Sequence, residues 1–206
     1  MRYFPPLFSC LKLPSLLVFV CSLLCIAQST HAAEDGLEQL LFVEPPNWHE
    51  VYEGRDESLS TTEYVPEGQE LGDWKEMLTV QIALGFANQQ PAEMLSRIGI
   101  QLGTECEQDF DVQPIQLGGV GDYPTMAVMA TCGKRKELSK GEVSLIRGIS
   151  GTENFYILRK TWLLDPFTKQ DEPPVKLDDC KFWLGFLAYL RICHPEAGNC
   201  PKDVAE

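Results

Sequence analysis

The run Leu16 to Ala27 is almost unbroken in apolar side chains, and it decides where the rest of the chain must fold. Its 12 residues fall short of the ~20 that a helix needs to cross the hydrocarbon core of a bilayer. Arg2 and Lys12 lie ahead of Leu16, and Ser29-Thr30-His31-Ala32-Ala33 supplies small residues before the first acid, Glu34. Positive charge, a short apolar stretch and a small-residue exit predict a secretory signal peptide over residues 1–33, cleaved after Ala32 or Ala33. Leu24 precedes Cys25 and Val20 precedes Cys21, where a lipidated cysteine would require a small residue. The expected product, residues 34–206, is long enough for one domain with its own core. It is expected in the periplasm or secreted, with no stable membrane span after cleavage.

Export sets the cysteine chemistry. Cys10, Cys21 and Cys25 leave with the signal, and Cys106, Cys132, Cys180, Cys193 and Cys200 remain. In an oxidising compartment they pair. The preferred pairing joins Cys106 to Cys132, tying a helix end to a strand, a closure that contributes about 3 kcal/mol. It also joins Cys193 to Cys200 across Pro195 and Gly198, which staples the C-terminal tail. Cys180 is then left as a buried thiol.

Loss of Arg2 and Lys12 takes the net charge from −13 to −15. Such a surface repels nucleic acid and anionic lipid head groups, because binding either depends on basic residues that release counterions. Nucleic acid is therefore not an expected partner.

Glu34 to Leu41 reads as a short helical lead that passes into Leu41-Phe42-Val43-Glu44, an extended stretch ended by Pro45-Pro46. His49–Tyr52 and Thr61–Val65 form the arms of a hairpin with a polar connector from Glu53 to Ser60. Val80, Ile82 and Leu84 share one face of an extended segment, the period-2 pattern of a half-buried strand. Pro91 opens a helix whose Met94, Leu95, Ile98 and Leu102 make an apolar stripe, ending near Gly103. Strands follow at about Val112–Leu117, Thr125–Cys132, Glu142–Gly148 and Phe155–Leu163. Gly118-Gly119-Val120-Gly121, Gly133-Lys134-Arg135-Lys136 and the segment from Ser150 to Asn154 separate them with turn chemistry. Connections this short leave no room for crossover helices, so the sheet is antiparallel.

After a charged, Pro-rich connector, a last helix is expected from Leu177 to Ile192, with Asp178 and Asp179 complementing the dipole of its first turn. Its middle, Phe182 to Leu190, is apolar nearly all round. One face should cover the sheet and a second should lie under a loop or a partner. The fold class is α+β, a mainly antiparallel sheet packed between helices in a single compact domain after the signal peptide.

This order of elements, with Pro46-Asn47-Trp48 at a strand boundary and a Trp in the closing helix, resembles the PsbP/DcrB-like fold. The string Glu63-Tyr64-Val65-Pro66-Glu67-Gly68, with Asp73-Trp74-Lys75-Glu76 after it, is similar to uncharacterised bacterial exported proteins. The resemblance covers most of residues 40–193 and is one of topology. It implies a non-catalytic binding or assembly module of the bacterial envelope.

Chemistry is sparse. Beyond the signal only His49 and His194 could serve a Ser/His or Cys/His engine, and neither lies in a nucleophile motif; His49 reads as a solvent-exposed turn histidine. Gly118 to Gly121 leads through Asp122-Tyr123-Pro124 into a strand, whereas a P-loop continues into Gly-Lys-Ser or Gly-Lys-Thr and a helix. Cys193, His194 and Cys200, with Cys180 as a fourth ligand, could bind zinc only if the thiols escape oxidation. Glu105, Glu107, Asp109 and Asp111 alternate as an exposed acidic loop would. No cofactor and no metal is assigned. Trp48 and Trp74 flank turns and form a possible binding surface, while Trp162 belongs to the core. The expected role is binding of an envelope protein or small ligand, the alternatives being a hydrolase built on two distant carboxylates or a metal-binding envelope protein.

Overall fold

The computed structural model describes residues 38–169, 171, 175–195, 198 and 200. The expected signal peptide lies outside them. Seven strands form the main sheet: β2 Trp48–Arg55, β3 Leu59–Pro66, β4 Glu76–Ala83, β6 Asp111–Ile115, β7 Thr125–Cys132, β9 Gly141–Ser150 and β10 Phe155–Leu164, in the order β2-β3-β4-β10-β9-β7-β6. Every neighbouring pair is antiparallel. β9 is buried along its whole length, as a central strand covered on both faces must be. Pro114, which cannot donate to a ladder, sits in the edge strand β6.

Alternation along the strands sorts two cores. Val143, Leu145 and Ile149 of β9 and Tyr156, Leu158 and Trp162 of β10 face helix α2, Leu177–Ala188, through Trp183 and Leu187. Ile146, Phe155 and Ile157 face the other way, toward Leu95 and Leu102 of helix α1, Pro91–Glu105. The α+β class stands, with the sheet as the dominant element and one helix on each face. Pro91 occupies the start of α1, where its missing N–H is harmless.

Four short strands depart from the sequence reading. Residues 39–41 are a strand, β1 Gln39–Leu41, and the last helix stops at Ala188 so that β11 Arg191–Cys193 can pair with β1. Backbone pairing between these distant segments overrides their helical pattern. Lys134–Arg135 is the strand β8 that pairs with β5, Cys106–Gln108, where a plain turn was expected. The disulfide Cys106–Cys132 lies next to that ribbon, and Cys193–Cys200 closes the tail after β11. Cys180 is free and half-buried.

Arg147 explains how α2 is seated. Its side chain is wholly buried on the α2 side of β9, donating to the carbonyls of Leu187 and Gly118 and, at 3.2 Å, to Thr125 Oγ1. A cation at the helix C-terminus meets the negative end of the dipole, so one residue ties helix, loop and sheet together.

Candidate functional site

Among the described residues nothing covers the outer face of α2. Trp183 and Leu187 point to the sheet, but Phe182 is 52% exposed and Tyr189 80%. Opposite them, the chain leaving β1 passes through Phe42 and Val43, the latter 84% exposed. Between the two lies a groove of about 590 Å³, lined by Leu41, Phe42, Val43, Phe182, Phe186 and Tyr189 among others. This size falls in the ~300–1,000 Å³ range of small-molecule sites. Gly185 lies in the lining, and a Cβ built on it would meet no atom within 4 Å. The charged residues of the lining are Lys181 and Arg191, both cations on a strongly acidic protein.

An aromatic stack runs from the groove into the core. Phe42 meets Phe186 edge to face at 6.5 Å, Phe186 meets Trp183 at 5.1 Å, and Trp183 meets Trp48 at 5.0 Å. Behind them sits Lys160 of β10, with no exposed side-chain surface. Its ammonium stands 4.6 Å from the Trp48 and Trp162 rings and 4.8 Å from Trp183, and it donates to Glu76 Oε2 at 2.7 Å. Burial pulls its pKa down to about 8, against the opposing pull of Glu76 and Asp179. The indole faces and the carboxylate replace part of the lost hydration.

Two carboxylate clusters lie elsewhere. Glu142, buried beneath α1, pairs with Arg159 and with Arg135 and accepts from Ser144 at 3.0 Å. Its carboxyl lies below the ordinary range, because the two guanidiniums outweigh a larger desolvation that acts the other way. At the far end of the sheet, Thr152 donates its N–H and its hydroxyl to Glu38 Oε2, each at 2.7 Å. Glu153 accepts from the Glu38 N–H at 3.0 Å and contacts His194 at 3.1 Å. Glu38 Oε1 is buried without a hydrogen-bond partner among the described residues and lies against the Cα of Gly151, where a side chain would collide. This arrangement holds the β9–β10 turn to β1.

The residues singled out in the sequence are dispersed. Trp48 packs into the cluster under α2, while Trp74 lies half-buried in the turn before β4, outside that cluster, and neither lines the groove. His49 sits half-buried in β2, opposite Val65, instead of in an exposed turn. Cys193 and Cys200 are joined to each other, which takes both sulfurs out of the thiolate form that zinc needs. Among the described residues no cluster of His, Cys, Asp or Glu could hold a metal. Glu105 and Glu107 pair with Arg135 and Lys134, so the alternating acids serve the β5–β8 ribbon in part. Gly118 to Gly121 links β6 to β7, and its Val120 is buried in the α2 core. Among the described residues no helix is long and apolar enough to cross a membrane.

No protein-family model and no curated protein matches the sequence. Among solved structures, the chain is similar to the Saccharomyces cerevisiae Ran-binding protein Mog1p, with 13% identity and a TM-score of 0.40 over 66% of this chain and 79% of that one. A point mutant of Mog1 gives 13% identity and a TM-score of 0.39 over 66% and 80%.

Sequence reasoning missed the groove itself. The signal was present in two places: an α2 apolar on all sides, and an exposed Phe42-Val43 ahead of two prolines. Their meeting depends on the β1–β11 pairing, which joins segments about 150 residues apart and leaves no local trace.

Proposed function

We propose that the protein is a non-catalytic binding module of the bacterial envelope, acting outside the cytoplasm, and that its site is the groove between α2 and the Phe42-Val43 segment. One observation carries this reading: Val43, Phe182 and Tyr189 stay in water around a cavity that the fold could have closed with a longer side chain at position 185. Exposed apolar patches with a concave shape mark binding sites. Two disulfides support a working place where thiols oxidise.

Nile red, a neutral apolar dye, tests the site. Its fluorescence should rise on the exported chain, and the rise should vanish in Val43→Glu and in Gly185→Leu, which place a charge and a plug in the groove. A second apolar hollow lies beside α1 near Ile100. Dye that survives both variants and is lost in Ile100→Glu overturns the proposal.

A further inference from the structure

We propose, resting on the groove reading above, that the natural ligand is an anionic amphiphile, a carboxylate on a single apolar chain, and that Arg191 takes its head group.

The groove has a direction. Phe182 in α2 and Tyr189 just past its end are seven residue steps apart, about 10 Å at the α-helical rise. Leu41, paired with Arg191 across the β1–β11 ribbon, marks one end, and Phe42 meets Phe186 further along. Arg191 therefore stands at the C-terminal end of α2 and Lys181 at the other. The two cations are not equivalent. Lys181 already has the Asp178 carboxylate at 3.8 Å, whereas Arg191 is exposed and, among the described residues, pairs with no carboxylate. An unpaired guanidinium at the mouth of an apolar trough offers two parallel N–H donors to a carboxylate, the geometry that arginine meets best. A cationic ligand would meet Lys181 and Arg191 at the two ends. A neutral one would leave Arg191 unused.

Gly185 is the second, independent observation. A glycine inside a helix costs stability relative to alanine, and here no neighbouring atom requires its small size. What it keeps open is the floor of the trough, where an alkyl chain would lie against Phe42 and Phe186.

The test displaces Nile red from the exported full chain with decanoate, 1-decanol and decyltrimethylammonium. Decanoate should bind roughly tenfold more tightly than decanol, about the value of one exposed charge-assisted hydrogen bond, and the cation more weakly than both. Arg191→Gln should erase the tenfold advantage without changing decanol, and Lys181→Gln should retain it. Gly185→Leu should abolish all binding. Equal affinity for decanoate and decanol overturns the anionic ligand while leaving the groove reading standing. Loss of the advantage in Lys181→Gln instead overturns the role of Arg191. Failure of every probe, dye included, removes both proposals. Sedimentation equilibrium completes the set: a dimer that dissociates in Gly185→Leu would show a second copy in the groove and overturn the ligand.

Discussion

Lys160 and Glu76 form an ion pair of 2.7 Å whose cation is fully buried among three tryptophan rings and whose anion is 39% exposed. The pair bridges β10 and β4 beneath α2. The folded protein releases the Lys160 proton near pH 8, while the unfolded chain holds it to about 10.5. Between those values the unfolded state binds more protons, so stability rises with pH. Tyr64 acts oppositely above pH 10, because burial pushes its hydroxyl up to about 12 and folding is penalised as the unfolded phenol ionises. The half-buried Cys180 thiol also opposes the rise, its pKa being raised by desolvation. Subtracting the profile of Lys160→Met cancels both. Urea unfolding at half-unit steps should give a difference that climbs from pH 8 to 10.5 by at most about 1.4 kcal/mol per unit, and a flat difference refutes the buried, depressed lysine. At pH 7, Lys160→Met should be neutral or stabilising, since a buried charge is exchanged for packed apolar volume.

Gly185 predicts a gain. Gly185→Ala places a methyl in open space on a helix interior, so the protein should be stabilised by about 0.5–1 kcal/mol. Calorimetry should show Tm higher by roughly 2 °C for a domain of this size. A lower Tm would mean that the groove floor is closed in solution.

The Cys106–Cys132 bridge spans 26 residues and Cys193–Cys200 spans 7. On loop-closure entropy, opening the first by paired alanine substitutions should cost about 3.5 kcal/mol and the second about 2.4. Thiol titration of the denatured, unreduced exported chain should find one thiol, that of Cys180. Four would mean that Cys10, Cys21 and Cys25 are still attached.

Glu142 holds two arginines with one buried carboxylate. Glu142→Gln should cost about 1–3 kcal/mol, less than a fully buried pair because both guanidiniums keep partial contact with water. The folded carboxyl titrates below its ordinary value, so its contribution is complete above pH 4.5 and is lost as pH falls through the lower folded value. The wild type should thus lose stability faster than Glu142→Gln on acidification, and parallel acid-unfolding curves would contradict the pairing.

The main sheet was readable from the chain because its information is local. Val80 and Ile82 alternate, Met94, Leu95, Ile98 and Leu102 recur at helical spacing, and short Gly-rich separators force antiparallel neighbours. Trp162 was correctly placed in the core for the same reason. Five cysteines allow fifteen arrangements of two bridges, and the preferred one is the arrangement the structure shows. β1 and β11 were not readable: three residues carry too few side chains for a period, and their stability comes from a partner remote in sequence. Trp48 and Trp74 show the same limit, because an aromatic beside a turn looks alike whether it packs inward, as Trp48 does on Trp183, or waits at a surface.

The sequence by itself determined the antiparallel layers and the presence of the two main helices, because periodicity and loop length act over a few residues. Only the tertiary structure decided that Lys160 lies among three indoles, and that Phe42, Gly185 and Arg191 border one groove. Those relationships arise where separate elements cross, and the free energy that sets them belongs to the packed whole, not to any one segment.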